Sequence, residues 1–132
     1  MENTEKKEVV IYAYGYCNNV GAGSWISYLE YNGFRKKIEG QVVNTDKNRM
    51  ELTSMVEALK SLKEPCIVTL YSNSQYCVNA ISKGWAKKWA FNNWMRTKTE
   101  RTLNPDLWEQ VLTFCTTHEI MPVWIRPNRK AV

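Results

Sequence analysis

Three polar side chains, each within a short segment, are of types that can contact a divalent cation. Glu51 carries a carboxylate, Asn73 carries an amide carbonyl oxygen and Tyr14 carries a phenol. Magnesium prefers hard anionic oxygen ligands, whereas a phenol with a reference pKa of about 10 is neutral near pH 7. Together the three positions supply one anion.

The same side chains belong to motifs with a defined order. The motifs are Ile11-Tyr12-Ala13-Tyr14-Gly15-Tyr16-Cys17, Asn48-Arg49-Met50-Glu51-Leu52 and Tyr71-Ser72-Asn73-Ser74-Gln75-Tyr76, followed by Asp106-Leu107-Trp108-Glu109. They resemble the type 1 ribonuclease H family, whose first three landmarks usually read I-Y-T-D-G-S-C, N-R-M-E-L and Y-S-D-S-Q-Y. The resemblance covers about residues 8–126. It implies that Tyr14 and Asn73 replace two aspartates and that Glu51 is retained.

Family members cleave the RNA strand of an RNA/DNA hybrid with two metal ions held by four carboxylates. The resemblance therefore implies a degenerate member, catalytically impaired or inactive, in which Tyr14, Glu51 and Asn73 are vestigial catalytic positions. No metal or other cofactor is then expected. The family's fourth acid comes from a segment after the last strand, and we expect the final helix to be missing here because the sequence stops at Val132.

Two other acids could replace the lost carboxylates. Asp46 lies just before the second motif, and Glu57 lies two turns along the predicted helix from Glu51. Asp46 is better explained as a helix cap and Glu57 as a solvent-facing acid. If either were recruited, the chain would keep residual cleavage of RNA/DNA hybrids that depends on magnesium or manganese.

The resemblance also implies residues that bind nucleic acid. The family counterparts of Asn48 and Gln75 contact the hybrid near the cut site, and that of Asn104 helps to hold a DNA phosphate. Some members carry a basic protrusion with tryptophans, and residues 83–94 are similar to it. The predicted nucleic-acid-binding residues are Asn48, Gln75, Trp85, Lys87, Lys88, Trp89, Trp94 and Asn104. Asp46 opposes this prediction because an acid there would repel a phosphate.

The positive charge of the chain is concentrated in residues 83–101, which we call the basic segment. It contains six basic residues and one acid, a local charge of +5 that equals the net charge of the whole chain. Four large aromatic residues lie in the same segment: Trp85, Trp89, Phe91 and Trp94. Lysines neutralise phosphates and exposed aromatics stack on bases, so the pattern favours nucleic-acid binding. The alternative is that the tryptophans pack on the core and the lysines form a solvated face.

The bulk composition indicates one compact domain spanning residues 1–132, since 132 residues with 44% hydrophobic content can bury one core of ordinary size. The polar N-terminus does not resemble a secretory signal, so a cytoplasmic protein is expected.

The spacing of Cys17, Cys66, Cys77 and Cys115 fits neither a zinc site nor a disulfide framework, and we interpret them as buried reduced thiols. His118 is the only histidine.

Periodicity predicts the elements that position these side chains. Strands are expected at residues 8–17, 24–31, 34–43, 66–71 and 120–125, and helices at 48–62, 74–82 and 105–117. The first strand is apolar on both parities, so we expect it to be central and covered on both faces. Asn32-Gly33 predicts a tight hairpin. The fold class is therefore α/β, a ribonuclease H-like mixed five-stranded sheet of three antiparallel strands followed by parallel strands, flanked by helices.

A sheet face left without the final helix would have to be hidden elsewhere, so we expect a homodimer or a partner chain. Tyr12, Tyr14 and Tyr16 share one side of their strand and could form that interface or fill a pocket. Three functions remain: a noncatalytic binder of nucleic acid, most simply RNA/DNA hybrid; a residual metal-dependent endoribonuclease; and a protein-interaction scaffold that binds no nucleic acid.

Overall fold

The computed structural model describes residues 5–126, which contain five strands and four helices. In chain order these are β1 (Lys7–Cys17), β2 (Gly23–Tyr31), β3 (Phe34–Val42), α1 (Lys47–Lys60), β4 (Cys66–Ser72), α2 (Gln75–Ser82), α3 (Trp85–Phe91), α4 (Pro105–Thr117) and β5 (Glu119–Trp124). The prediction for the segment after the last strand falls largely on residues 127–132, which lie outside the described residues.

The strands form one mixed sheet in the order β3-β2-β1-β4-β5. β1 is central, pairs antiparallel with β2 and pairs parallel with β4. Asn32 and Gly33 both have positive φ, at 51° and 84°, as a two-residue hairpin between right-twisted strands requires. The predicted fold class, the central position of β1 and the hairpin are therefore confirmed.

One face of the sheet carries the core. Side chains alternate along a strand, and the odd-numbered residues Val9, Ile11 and Ala13 of β1 are buried. They belong to a single apolar cluster that includes residues of all four described helices, among them Leu52 and Trp108. Burial of this apolar area against the sheet is what orients the helices and the ends of the loops between them.

The other face of the sheet is only partly covered in residues 5–126. The even-numbered residues of β1 are half-buried or exposed, and 51% of Tyr16 is accessible. Tyr12 stacks on Tyr71 of β4 with ring centroids 4.9 Å apart. The prediction that β1 is covered on both faces is therefore wrong for the described residues. The even-numbered positions of the strand look apolar in the sequence because most of them are tyrosines, whose rings cover one another in part.

Helix α1 begins where a side chain can cap it. Asp46 Oδ1 accepts the Arg49 N–H at 2.8 Å, so Asp46 is the N-cap, as the sequence predicted. Glu57 forms an ion pair of 3.4 Å with Lys60 and is half-buried. Helix α3 had no predicted bounds; it starts after Gly84, whose φ of 77° turns the chain between α2 and α3.

The cysteines and the histidine have structural positions. All four cysteines are free; Cys66 and Cys77 are buried as predicted, whereas Cys17 and Cys115 are half-buried. His118 is buried, and its Nδ1 accepts the Cys66 N–H at 3.0 Å. This bond ties the end of α4 to the start of β4. Within residues 5–126 no helix is long and apolar enough to cross a membrane.

Candidate functional site

The motif residues meet at the ends of β1 and β4, because parallel neighbours end at the same edge of a sheet. Tyr14 lies near the end of β1, and Asn73 directly follows β4. Gly15 brings α1 to the same place: a Cβ at this position would collide with the backbone of Met50 and Glu51. A residue without a side chain is thus required for the close approach of strand and helix, which sets the backbone of Glu51 against Gly15, the residue that follows Tyr14 and bonds to Asn73.

Asn73 uses both ends of its amide on the backbone of one residue. Its Oδ1 accepts the Gly15 N–H at 3.2 Å, and its Nδ2 donates to the Gly15 carbonyl oxygen at 3.0 Å. The side chain therefore continues the pairing of β1 with β4 past Ala13 and Ser72, the last pair of the ladder. A carboxylate accepts hydrogen bonds but donates none, so an aspartate at this position could not make both contacts near neutral pH.

Glu51 projects from α1 and is 5% exposed. Burial raises the pKa of its carboxyl above the ordinary value, while Lys47 and the Ser74 hydroxyl act in the opposite direction. The Lys47 ammonium lies 3.5 Å from Glu51 Oε2, one helical turn away on the same helix. The carboxylate is thus shielded from solvent and faces a cation of its own chain.

Tyr14 keeps its proton at neutral pH. Burial raises the pKa of its phenol, and the neighbouring Tyr16, Tyr12 and Tyr28 raise it further, against a small opposite effect of Arg35. The residue is half-buried on the partly covered face of the sheet. Of the three motif side chains, Glu51 is therefore the one with an anionic form near pH 7.

Asn48 and Asn104 lie on either side of Arg49. Asn48 Oδ1 is 3.8 Å from Cys77 Sγ, which places it against the first turns of α2. Arg49 Nη1 donates to Asn104 Oδ1 at 2.9 Å, and its Nη2 lies 2.7 Å from Asp106 Oδ2. The hydrogen bond from Arg49 holds the pKa of the Asp106 carboxyl below its usual range. Arg49 thus fixes the start of α4 against α1.

A groove of about 330 Å³ lies where α2 and α3 fold against each other. Tyr76 is 6.0 Å from Trp89 and 6.3 Å from Trp85 between ring centroids. Trp89 is 8% exposed and packs edge-on against Trp108 of α4 at 5.9 Å. The groove is lined by three aromatic residues, one lysine, one arginine and one asparagine: Tyr76, Trp85, Trp89, Lys88, Arg96 and Asn92. We call it the aromatic groove.

Comparison with known proteins identifies the family to which this chain belongs. The ribonuclease H family model matches residues 6–128. A curated ribonuclease H from Desulforamulus reducens is 47% identical over 126 residues, which make up 95% of this chain and 79% of that protein. The chain belongs to the ribonuclease H family.

Solved structures of other ribonucleases H share the fold. LC9-RNase H1, a type 1 ribonuclease H with the type 2 active-site motif, superimposes with a TM-score of 0.82 at 22% identity, covering 97% of this chain and 67% of its own. LC11-RNase H1, solved in complex with an RNA/DNA hybrid, has a TM-score of 0.70 at 13% identity, covering 93% and 88% of the two chains. At these identities the likeness concerns the fold alone.

In this ribonuclease H family member, some of the residues predicted to bind nucleic acid line the aromatic groove and others do not. Lys88 joins Trp85 and Trp89 in the aromatic groove, whereas Lys87 lies toward Cys115 of α4 and does not line it. Gln75 is exposed at the first residue of α2.

Trp94 is attached to the same region by its backbone. Its N–H donates to the Trp89 carbonyl oxygen at 2.7 Å, and its side chain is half-buried. Three lining residues that the sequence reasoning missed are Tyr76, Asn92 and Arg96. Signals for them existed, since Tyr76 ends the third motif and the other two belong to the basic segment. Most of the Trp89 side chain packs in the core, and one edge of its ring lines the groove.

Proposed function

We propose that this member of the ribonuclease H family binds RNA/DNA hybrid and is catalytically impaired or inactive. The observation that carries the proposal is the paired amide of Asn73, which holds the Gly15 backbone where the family motif has an aspartate. The position has become part of the strand pairing. Tyr14 adds a neutral phenol at the second altered position.

The oxygen donors at these positions do not fit a pair of divalent cations. Asn73 Oδ1 already accepts a backbone N–H, and Tyr14 is protonated near neutral pH. Glu51 offers a carboxylate, but it is 5% exposed and faces Lys47. Two ions bridged by one carboxylate would lack the anionic ligands that magnesium needs. No step of the proposed function therefore depends on a metal.

The basic segment supports binding of a polyanion. None of its six cations forms an ion pair with an acid within residues 5–126. Such a concentration of like charge opposes folding unless a partner neutralises it. The aromatic groove adjoins these cations, with Lys83 Nζ 5.6 Å from the Trp85 ring centroid and Lys88 and Arg96 in its lining. Cations bind phosphates and aromatic rings stack on bases, so this combination suits a nucleic acid.

The choice of hybrid among nucleic acids rests on the family. LC11-RNase H1 shares the fold and was solved with an RNA/DNA hybrid. Asn48 and Gln75, whose counterparts contact the hybrid, lie at the start of α1 and α2, beside the altered positions. Their amides can donate to and accept from groups in the groove of a duplex.

Fluorescence anisotropy tests the proposal with a labelled RNA/DNA hybrid against DNA and RNA duplexes of the same sequence at two salt concentrations. We expect preference for the hybrid and an affinity that falls with salt. Lys88→Ala should lower the slope of log affinity against log salt by about one phosphate contact, while Lys87→Ala, its matched control outside the groove, should change it less. Absence of binding to all three duplexes would overturn the proposal and favour a protein-interaction scaffold.

Residual cleavage is the second candidate, favoured by the 47% identity to a curated ribonuclease H. It would require a second acid beside Glu51, for example one supplied by a second chain. Incubation of labelled hybrid with magnesium or manganese tests it directly. Cleavage that Glu51→Gln abolishes would establish this function, whereas an intact hybrid in both metals would support the noncatalytic one.

A second copy of the chain is the occupant that we propose for the partly covered sheet face. Its exposed apolar residues include Tyr16, 51% accessible, and Met121, 63% accessible. Large exposed apolar patches mark interaction surfaces. Sedimentation at micromolar concentration should show a dimer that Tyr16→Asp weakens. A strictly monomeric species would overturn this part of the proposal.

A further inference from the structure

The buried carboxylate of Glu51 forms an ion pair that opens to solvent on one side only. Lys47 Nζ lies 3.5 Å from Glu51 Oε2, and the two side chains are 63% and 6% exposed. On the protein side, the Ser74 hydroxyl donates a hydrogen bond to the same carboxylate. Ser74 directly follows Asn73, so the ion pair lies at the altered positions. Lys47 is therefore the part of this site that a ligand meets first.

The position of Lys47 is not explained by the stability of α1 alone. Lys47 is the first residue of that helix, whose first turn contains no acid. A cation is favourable near the C-terminus of a helix and unfavourable near its N-terminus. A lysine four residues before a glutamate is also a weaker pair than the reverse order. The contact with buried Glu51 offsets these effects, and an anionic ligand at the ammonium group would offset them further.

The acid next to Lys47 is used elsewhere. Asp46 Oδ1 accepts the Arg49 N–H at 2.8 Å as the N-cap of α1. Within residues 5–126, Lys47 forms its ion pair with Glu51. An ammonium group carries three N–H donors, and a single carboxylate oxygen engages one of them. The other donors can meet a ligand on the exposed side, beside Asn48, the next residue of α1.

A divalent cation and the Lys47 ammonium would compete for the same carboxylate. Magnesium binds carboxylate oxygens at about 2.1 Å, so an ion on Glu51 Oε2 would lie within roughly 6 Å of Lys47 Nζ. Two cations at this distance repel each other, and more strongly where protein excludes solvent. The ammonium group thus disfavours a metal ion at Glu51 and supplies a positive charge in the same place.

We propose that the Lys47 ammonium takes the place of a divalent cation at Glu51 and binds a phosphate of the nucleic-acid backbone, so that hybrid binding needs no metal. This inference deepens the proposed function and rests on it. Lys47 neutralises a phosphate, whereas the amides of Asn48 and Gln75 contact polar groups in the groove of the duplex. The three side chains thus bind the hybrid at the starts of α1 and α2.

Manganese binding without nucleic acid tests the replacement. Electron paramagnetic resonance measures free Mn²⁺ during titration with the unmodified protein, Lys47→Met and Lys60→Met. Lys60 is the matched control, since it pairs with Glu57 on the same helix at 3.4 Å. We expect Lys47→Met to bind Mn²⁺ at least about tenfold more tightly than the other two, because a charge so close to a carboxylate changes its affinity for a cation by such a factor. Adding Glu51→Gln should abolish the gain. Equal affinities in all three proteins would overturn the proposal.

Hybrid binding in EDTA tests the phosphate contact. The unmodified protein should bind the labelled hybrid without Mg²⁺. Lys47→Met should bind it more weakly and lower the slope of log affinity against log salt by about one phosphate contact, while Lys47→Arg and Lys60→Met should keep the slope. Circular dichroism verifies that the variants are folded. The same slope in Lys47→Met as in Lys60→Met would overturn the proposal, as would hybrid binding that requires Mg²⁺ in the unmodified protein.

The two experiments separate this inference from the proposed function. If the unmodified protein binds no hybrid while Lys47→Met gains affinity for Mn²⁺, the proposed function fails and the replacement of the metal ion by Lys47 stands. If the protein binds the hybrid and Lys47→Met behaves like Lys60→Met in both experiments, the proposed function stands and this inference fails.

Discussion

Replacing Asn73 by aspartate adds a negative charge and removes a hydrogen-bond donor that the fold uses. The Nδ2 group of Asn73 donates to the Gly15 carbonyl oxygen at 3.0 Å. In Asn73→Asp, an anionic oxygen would face that carbonyl oxygen at the same distance. The lost hydrogen bond and the unsatisfied, part-buried acceptor together cost about 1–3 kcal/mol. Repulsion between the two oxygens places the expected loss toward the upper end, about 2–3 kcal/mol, or roughly 30- to 150-fold in the folding equilibrium.

Urea unfolding followed by tryptophan fluorescence measures this loss. Asn18→Asp is the matched control, because Asn18 Oδ1 only accepts, from the N–H groups of Val20 and Ala22 at 3.0 and 2.9 Å. A carboxylate can accept both bonds, so the free energy of unfolding should change little. The penalty in Asn73→Asp should shrink in acid, because a protonated carboxyl can again donate to the Gly15 carbonyl oxygen.

Two results would refute the reasoning about Asn73. The first is an Asn73→Asp protein as stable near neutral pH as the Asn18→Asp control. The second is a stabilisation of Asn73→Asp by millimolar magnesium that exceeds the effect of magnesium on the unmodified protein. That result would mean that the site is a metal centre short of one charge, and that the amide pairing is incidental.

Three further predictions concern buried residues of the fold. Gly15→Ala should destabilise the protein by about 1–3 kcal/mol or more in urea unfolding, because its methyl group would displace α1 at Glu51. Burial, aided by Lys6, lowers the pKa of His118 in the folded state. Stability from neutral His118 is therefore complete above the unfolded pKa of about 6.5 and declines below it, and His118→Gln should remove that decline. Burial raises the pKa of Cys77 to about 12, so peptide mapping should find it unalkylated by iodoacetamide until the protein unfolds.

Local patterns predicted the elements of the fold well. Asn32-Gly33 predicted the hairpin because both residues tolerate positive φ. Asp46 predicted the start of α1 because a short polar side chain just before a helix commonly caps it. The same patterns failed for the second face of β1. Tyr12 and Tyr14 have the hydrophobicity of covered residues, but a tyrosine ring can pack on its neighbour while its hydroxyl stays in solvent.

The details of the site depend on contacts between distant residues. The pairing of Asn73 with Gly15 joins positions 58 residues apart, and it follows from the register of β1 and β4 rather than from either motif. Tyr76 and Arg96 meet in the aromatic groove because Gly84 turns α3 back toward α2. Periodicity shows that a segment is helical but does not show which other helix its aromatic residues contact.

The ends of β1 and β4 and the basic segment differ in how their charges relate to the stability of the fold. At the ends of β1 and β4, Asn73 and Tyr14 are uncharged where clustered carboxylates in an apoprotein would repel one another; the lack of charge there favours the fold, as the Asn73 pairing illustrates. The basic segment shows the reverse, with six cations, one acid and no ion pair to residues 5–126. Repulsion among these cations has no benefit to the isolated fold. Its retention beside exposed aromatic edges is best explained by a polyanionic partner.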